Sequence, residues 1–184
     1  MSRKEPLKPL PLLVRLLALP MLLAAVSGCS QKILVCPVPA ILADARSVAV
    51  MRPGTPSDLA NELYRVTMTN AEGDCVYDQR TQVVRSSLDL TFHATRAPSR
   101  DAATYSVPYF VVVNENAKVF AKRLYNLNVY FAPGAVTADI KESPADVSIQ
   151  IGAGRLPWNY EEVAGFQLTP EQIDYNRLRS RYLP

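Results

Sequence analysis

Three kinds of side chain in this chain of 184 residues could carry chemistry: a single histidine, scattered carboxylates and three cysteines. A serine–histidine–acid triad would have to run through His93, with Asp89 on the same face of a strand as its acid. No serine motif or nucleophile elbow accompanies it, so His93 reads as a solvated residue on a polar face. Paired carboxylates stand at Glu161-Glu162 and at Asp74 with Asp78. Adjacent glutamates on a strand point to opposite faces, so Glu161 and Glu162 cannot flank one bond, and surface solubility explains them. Gly152-Ala153-Gly154-Arg155 has two glycines but no long helix signal behind it, and reads as a turn rather than a phosphate loop. Zinc would need more ligands than His93 and the cysteines offer. The expectation is a protein with no catalytic residue, no metal and no cofactor.

The cysteines serve two purposes. Arg3, Lys4, Lys8 and Arg15 precede an apolar run from Leu16 to Ala25, and Val26-Ser27-Gly28-Cys29 follows. A basic segment, a short apolar segment and small residues before a cut site are the parts of a secretory signal. The uncharged stretch is too short for a membrane-spanning helix and contains Pro20. Its ending resembles the lipobox of bacterial lipoproteins, in which small side chains let the peptidase approach the backbone and the cysteine thiol receives diacylglycerol. Residues 1–28 are therefore expected to be a signal peptide, Cys29 the lipidated residue and 29–35 a tether to the membrane. Ser30, rather than an aspartate, favours the outer membrane, with the protein facing the periplasm. Cys36 and Cys75 are then an even pair in an oxidising compartment, where such pairs bridge. The bridge would staple the start of the domain to a hairpin turn.

Charge excludes one class of partner. The formal net charge of +3 belongs to the leader: four basic residues and one acidic residue precede Cys29, leaving 20 − 4 = 16 basic and 17 − 1 = 16 acidic residues. A balanced domain gives no electrostatic case for nucleic acid or for anionic lipid binding. The aromatic residues leave two other partner classes open. Tyr105, Tyr109, Trp158 and Tyr160 are the candidate interface residues, since tyrosine and tryptophan bury area while keeping a polar handle. Trp158, in the irregular segment Arg155-Leu156-Pro157-Trp158-Asn159, is the best candidate for an exposed contact. Such rings serve protein interfaces and glycan sites alike, although at strand spacing they also serve as core.

Positioning these residues falls to strands. Ser47 to Met51, Asn61 to Asn70, Thr81 to Ala94, Tyr105 to Val113, Lys118 to Phe131, Val147 to Ile151 and Tyr160 to Leu168 alternate or run apolar as strands do. Turns are expected at Arg52-Pro53-Gly54, at Ala71-Glu72-Gly73-Asp74 and at Asn114-Glu115-Asn116-Ala117. An interruption is expected near Tyr125-Asn126, and the longest loop at Arg96 to Ala103. Thr169-Pro170-Glu171-Gln172 supplies an N-cap, a proline at the first helical position and a glutamine at the third, so a helix is predicted over 170–181. The fold expected for residues 36–184 is mainly β: an antiparallel β-sandwich, immunoglobulin-like, with one short C-terminal α-helix.

Cys36-Pro37, Ile41-Leu42-Ala43-Asp44-Ala45, Arg52-Pro53-Gly54, Cys75-Val76-Tyr77-Asp78 and Gly165-Phe166-Gln167-Leu168-Thr169-Pro170-Glu171-Gln172 together resemble an uncharacterised family of alphaproteobacterial outer-membrane lipoproteins. The resemblance implies an envelope lipoprotein and transfers no catalytic or binding residue. The expected function is a non-catalytic, lipid-anchored envelope protein, a structural or adaptor component that binds another envelope protein. A periplasmic module for glycan or peptidoglycan is the alternative.

Overall fold

A computed structural model describes residues 36–182. The expected signal peptide, the lipidated Cys29 and the tether lie outside the described residues. Nine strands form two sheets, followed by one helix. In chain order they are β1 (Val38–Ile41), β2 (Ser47–Met51), β3 (Glu62–Asp78), β4 (Val83–Arg96), β5 (Ala103–Glu115), β6 (Lys118–Phe131), β7 (Thr137–Glu142), β8 (Val147–Gln150) and β9 (Glu161–Phe166), and the helix is α1 (Pro170–Tyr182). One sheet has the order β1-β9-β5-β6, and the other β2-β3-β4-β7 with β8 also paired to β4. All pairs are antiparallel except β1 with β9. The architecture is a mostly antiparallel sandwich with a single C-terminal helix, as the sequence predicts, and it has its own strand order.

Alternation builds the core. In β4, Val84, Leu88, Leu90, Phe92 and Ala94 point inward, while Arg85, Ser87 and Asp89 point to solvent. Leu88, Leu90, Phe92 and Ala94 meet Val107, Tyr109 and Val111 of β5, Leu127, Val129 and Phe131 of β6, and Ala164 and Phe166 of β9. Phe92 packs against Tyr109 at 5.7 Å and Phe166 at 5.9 Å between ring centroids, tilted arrangements that suit the ring quadrupole. A second cluster at one end gathers Val84, Val113, Val147, Ile149, Ile151 and Tyr160.

The structure corrects two expectations about the strands. Ala71 to Asp74 is not a turn: β3 runs through it, each residue pairing with β4 from Ala71 opposite Leu90 to Asp74 opposite Ser87. A full ladder satisfies the backbone groups that a turn would satisfy locally, and the irregularity is confined to a bulge between Met68 and Asn70. The chain reverses instead after Asp78, whose Oδ1 accepts from the backbone N–H groups of Arg80 (2.9 Å) and Thr81 (3.3 Å). Strand β6 is not interrupted at Tyr125-Asn126, because Tyr125 stacks on Tyr109 across the ladder at 5.2 Å. The short edge strands β1 and β7 were not legible in the sequence.

Gly165 belongs to this architecture for a steric reason. It stands opposite Phe110 in the β5–β9 ladder, and a Cβ there would lie 2.7 Å from Phe110 Cζ and 3.0 Å from the Ala45 Cβ. The ring lies across the glycine, with the Lys122 ammonium 4.6 Å from its centroid, and covers backbone that would otherwise face water. Gly165→Val should lower stability by about 1–3 kcal/mol through overpacking. A melting temperature equal to wild type would show that Phe110 swings aside freely.

Candidate functional site

The disulfide joins Cys36 to Cys75. It ties the start of the domain to β3 within the β3–β4 ladder, not to a hairpin turn as the sequence suggests. Cys75 faces Ser86 across that ladder, and Ser86 in turn reaches the opposite sheet. Its hydroxyl donates to Glu162 Oε2 at 2.9 Å, and both side chains are buried, Glu162 to 1% exposure. Glu162 is thus not a surface carboxylate. The sequence did carry the signal: Tyr160, Glu162, Ala164 and Phe166 lie on one face at period two, and all four are buried.

Burial pushes the Glu162 carboxyl above its ordinary value near 4.5; the Ser86 bond offsets part of this, and the Asp146 charge adds to it. Its Oε1 has no hydrogen-bond partner among the described residues. A carboxyl raised in the folded state binds its proton more tightly there than in the unfolded chain, so folding stability falls as pH rises from about 4.5 through the raised value. Glu162→Gln should abolish that decline, making the variant gain on wild type as pH goes from acid to neutral. Urea unfolding across this range checks it, and parallel stability–pH curves would refute it. The opposite sign belongs to Glu62, where burial alone would raise the carboxyl but Arg65, Tyr175 and Arg179 outweigh it and hold it low.

Glu62 organises the carboxyl end. Arg65 pairs with it, the Tyr175 hydroxyl donates to it at 2.6 Å and Arg179 at 2.7 Å. From the same helix, Gln172 donates to the Ala49 carbonyl at 3.3 Å and Asn176 to the Ser47 carbonyl at 2.7 Å. Ser47 and Ala49 alternate along β2, an edge strand, so the helix covers carbonyls that would otherwise be open to another chain. The helix starts as its sequence dictates. Thr169 and Gln172 exchange backbone-to-side-chain hydrogen bonds of 2.9 and 3.3 Å, a capping box.

His93 lies on the solvent face of β4, and its Nδ1 is 2.7 Å from Asp139 Oδ1 of β7, in a half-exposed pair. Asp89, the acid anticipated for it, is engaged by the Ser143 hydroxyl instead. Strand pairing decides this, since β7 sets Asp139 directly opposite His93. A cleft of about 490 Å³ separates β1 from β3, lined by Pro39, Ile41, Arg46, Thr69 and Asn70. Arg46 is drawn inward there by the Met68 carbonyl, 3.0 Å from its Nε.

The four candidate interface aromatics separate. Tyr109 and Tyr160 are each only 2% exposed and belong to the core: Tyr109 lies on the inward register of β5, and Tyr160, just before β9, continues that strand's inward set into the end cluster. Tyr109 is pushed up to about 12 by burial, Glu142 and Tyr125. Tyr105 is half-buried and stacked on Tyr64 at 4.0 Å. Only Trp158 is presented to solvent, at 47% exposure. These four rings therefore assemble no aromatic platform of the kind that grips a sugar. Among the described residues, no cluster of histidine, cysteine, aspartate and glutamate could hold a metal, and no helix is long and apolar enough to cross a membrane.

The site and fold together define a disulfide-stapled β-sandwich. Compared with family models, with curated proteins and with solved structures, the chain matches none.

Proposed function

We propose that this chain is a non-catalytic lipoprotein of the bacterial envelope, anchored through Cys29, probing the periplasm from the outer membrane and binding another envelope protein as an adaptor or structural component. The observation that carries the reading is the Cys36–Cys75 disulfide. It follows the lipobox-like Val26-Ser27-Gly28-Cys29 by seven residues and suits an oxidising compartment reached by export.

An apolar outer face supports the partner. On the solvent side of the first sheet, Leu124, Phe110 and Gly165 form one cross-strand row, and Lys122, Val112, Val163 and Ala40 the next. Leu124 is 63% exposed, and Val112, Val163 and Ala40 are half-buried. Apolar centres with a polar rim are what protein partners cover.

The test is a crosslinked pull-down of the mature lipoprotein from its own envelope, read by mass spectrometry. A stoichiometric protein partner is expected, and Leu124→Asp should reduce its recovery about tenfold. Recovery of intact protein with no reproducible partner would refute the adaptor reading. Recovery with cell-wall material alone would replace it by a glycan-binding role.

A further inference from the structure

The chain enters the sandwich at a defined end. Cys36 is fixed there by its disulfide, and the Val38 N–H donates to the Tyr160 carbonyl at 2.9 Å. Strands β1 and β9 start together at that end, Val38 beside Glu161, and the β5–β6 hairpin turns over there, with Asn114 opposite Glu161. Several large apolar side chains protrude from the same place: Leu156, Trp158, Val119 and Phe120 are all at least two-fifths exposed.

These side chains are held, not loose. Leu156 donates its backbone N–H to Asn159 Oδ1 at 2.9 Å, and the Asn159 and Tyr160 N–H groups return to the carbonyls of Leu156 and Pro157. Pro157 fixes the start of this turn, which leaves Trp158 at its outer corner. The Tyr160 hydroxyl accepts from Gly152 N–H at 3.1 Å, and Phe120 packs edge-on against the Tyr160 ring at 5.6 Å. Arg155 pairs with Glu115 at 2.6 Å, joining the turn to the hairpin tip, and the Lys118 ammonium sits 5.0 Å from the Phe120 centroid. A rigid knob bearing a tryptophan, a phenylalanine and two aliphatic side chains, rimmed by lysine and arginine, has the composition of a membrane–water interface.

We propose that this end of the sandwich rests on the bilayer, with Trp158, Leu156, Val119 and Phe120 entering the headgroup region. The proposal rests on the anchor at Cys29. Six residues separate that cysteine from Cys36, seven Cα–Cα steps with a reach of at most about 25 Å. The anchor thus brings this end, not the far one, to the lipid surface, and the remaining outer face of the first sheet stays open to a protein partner.

Trp158 is the only tryptophan, so its emission reports this site alone. The full chain, matured in a bacterial envelope, is reconstituted into phosphatidylethanolamine–phosphatidylglycerol vesicles with or without lipids brominated near the headgroup. Brominated lipid should quench most of the emission, and the vesicles should shield it from iodide. Leu156→Asp with Phe120→Asp should restore much of the emission while the protein still floats with the vesicles and keeps its β-sheet circular dichroism. Flotation with diacylglycerol on Cys29 by mass, but no quenching, would overturn the docking and leave the anchor standing. Shielding from iodide without quenching by brominated lipid would overturn it too, and would assign the knob to a protein contact. An intact mass lacking lipid, with no flotation, would remove the anchor and the docking together.

Discussion

Replacing Cys36 and Cys75 together by serine should lower the unfolding free energy by about 3–4 kcal/mol. The bridge closes a loop with a sequence separation of 39, and in the chain-entropy view its loss returns that loop's freedom to the unfolded chain. A second effect acts in the folded state. Cys75 packs against the end cluster of Val84, Val113, Val147, Ile149, Ile151 and Tyr160, so its replacement by a hydroxyl also loosens that cluster. The melting temperature should fall by roughly 10 °C for a domain of this size. Reduced wild type should behave as the double variant does. If the variant stays within about 1 kcal/mol of oxidised wild type, the loop is already constrained in the unfolded ensemble and the entropy argument fails.

Sheet-forming segments were legible where one face is buried and the other wet. The inward set of β4 and the capping box at Thr169 could be read directly, because each is a local pattern with a fixed period or spacing. The failures have a common cause. Residues 71–74 have the composition of a turn, yet the β4 ladder satisfies their backbone, a long-range interaction that no window of neighbouring residues records. Glu162 and Ser86 were missed for a different reason. Their positions obey the inward period while their polarity argues for solvent, and a charged residue on a core register is the signal that resolves the conflict. Residue type alone makes Tyr109 and Tyr160 interface candidates, but their register places them inside. Trp158 alone of the four lies outside the strands that the sequence predicts, and it alone is widely exposed.

The two ends of the sandwich divide the work. One end holds the disulfide, the chain entry and the exposed apolar knob, and the opposite end holds the β4–β5 and β6–β7 crossovers between sheets. Adjacent strands of one sheet hold each other through backbone ladders, but the crossovers have no ladder. A side chain must fasten them, and Arg96 is that side chain.

Arg96→Met should therefore cost about 3 kcal/mol, with Arg96→Lys intermediate. Arg96 is the last residue of β4, is buried, and has no carboxylate partner among the described residues. Its Nε donates to the Ala135 carbonyl at 2.7 Å, and its Nη2 to the carbonyls of Asp101 at 2.9 Å and Ala132 at 3.0 Å. Asp101 lies in the β4–β5 crossover, and Ala132 and Ala135 lie in the β6–β7 crossover, so one planar fork ties both. The guanidinium also sits 4.9 Å from the Phe131 ring centroid, which shields the charge from water. Methionine would fill much of the volume and supply no donor, leaving three carbonyls to find water at a tightly closed loop. Each charged hydrogen bond is worth about 1.5–3 kcal/mol, and the total is discounted because loop carbonyls near the surface can recruit solvent. Lysine keeps the charge but cannot span the two loops with a rigid fork. Urea unfolding with an unchanged dependence on denaturant should give the order wild type, Arg96→Lys, Arg96→Met. A methionine variant as stable as wild type would mean that the crossovers are held by their own turns, such as the 3.1 Å bond from Gly134 N–H to the Ser99 carbonyl, and that the fork follows the loops instead of fixing them.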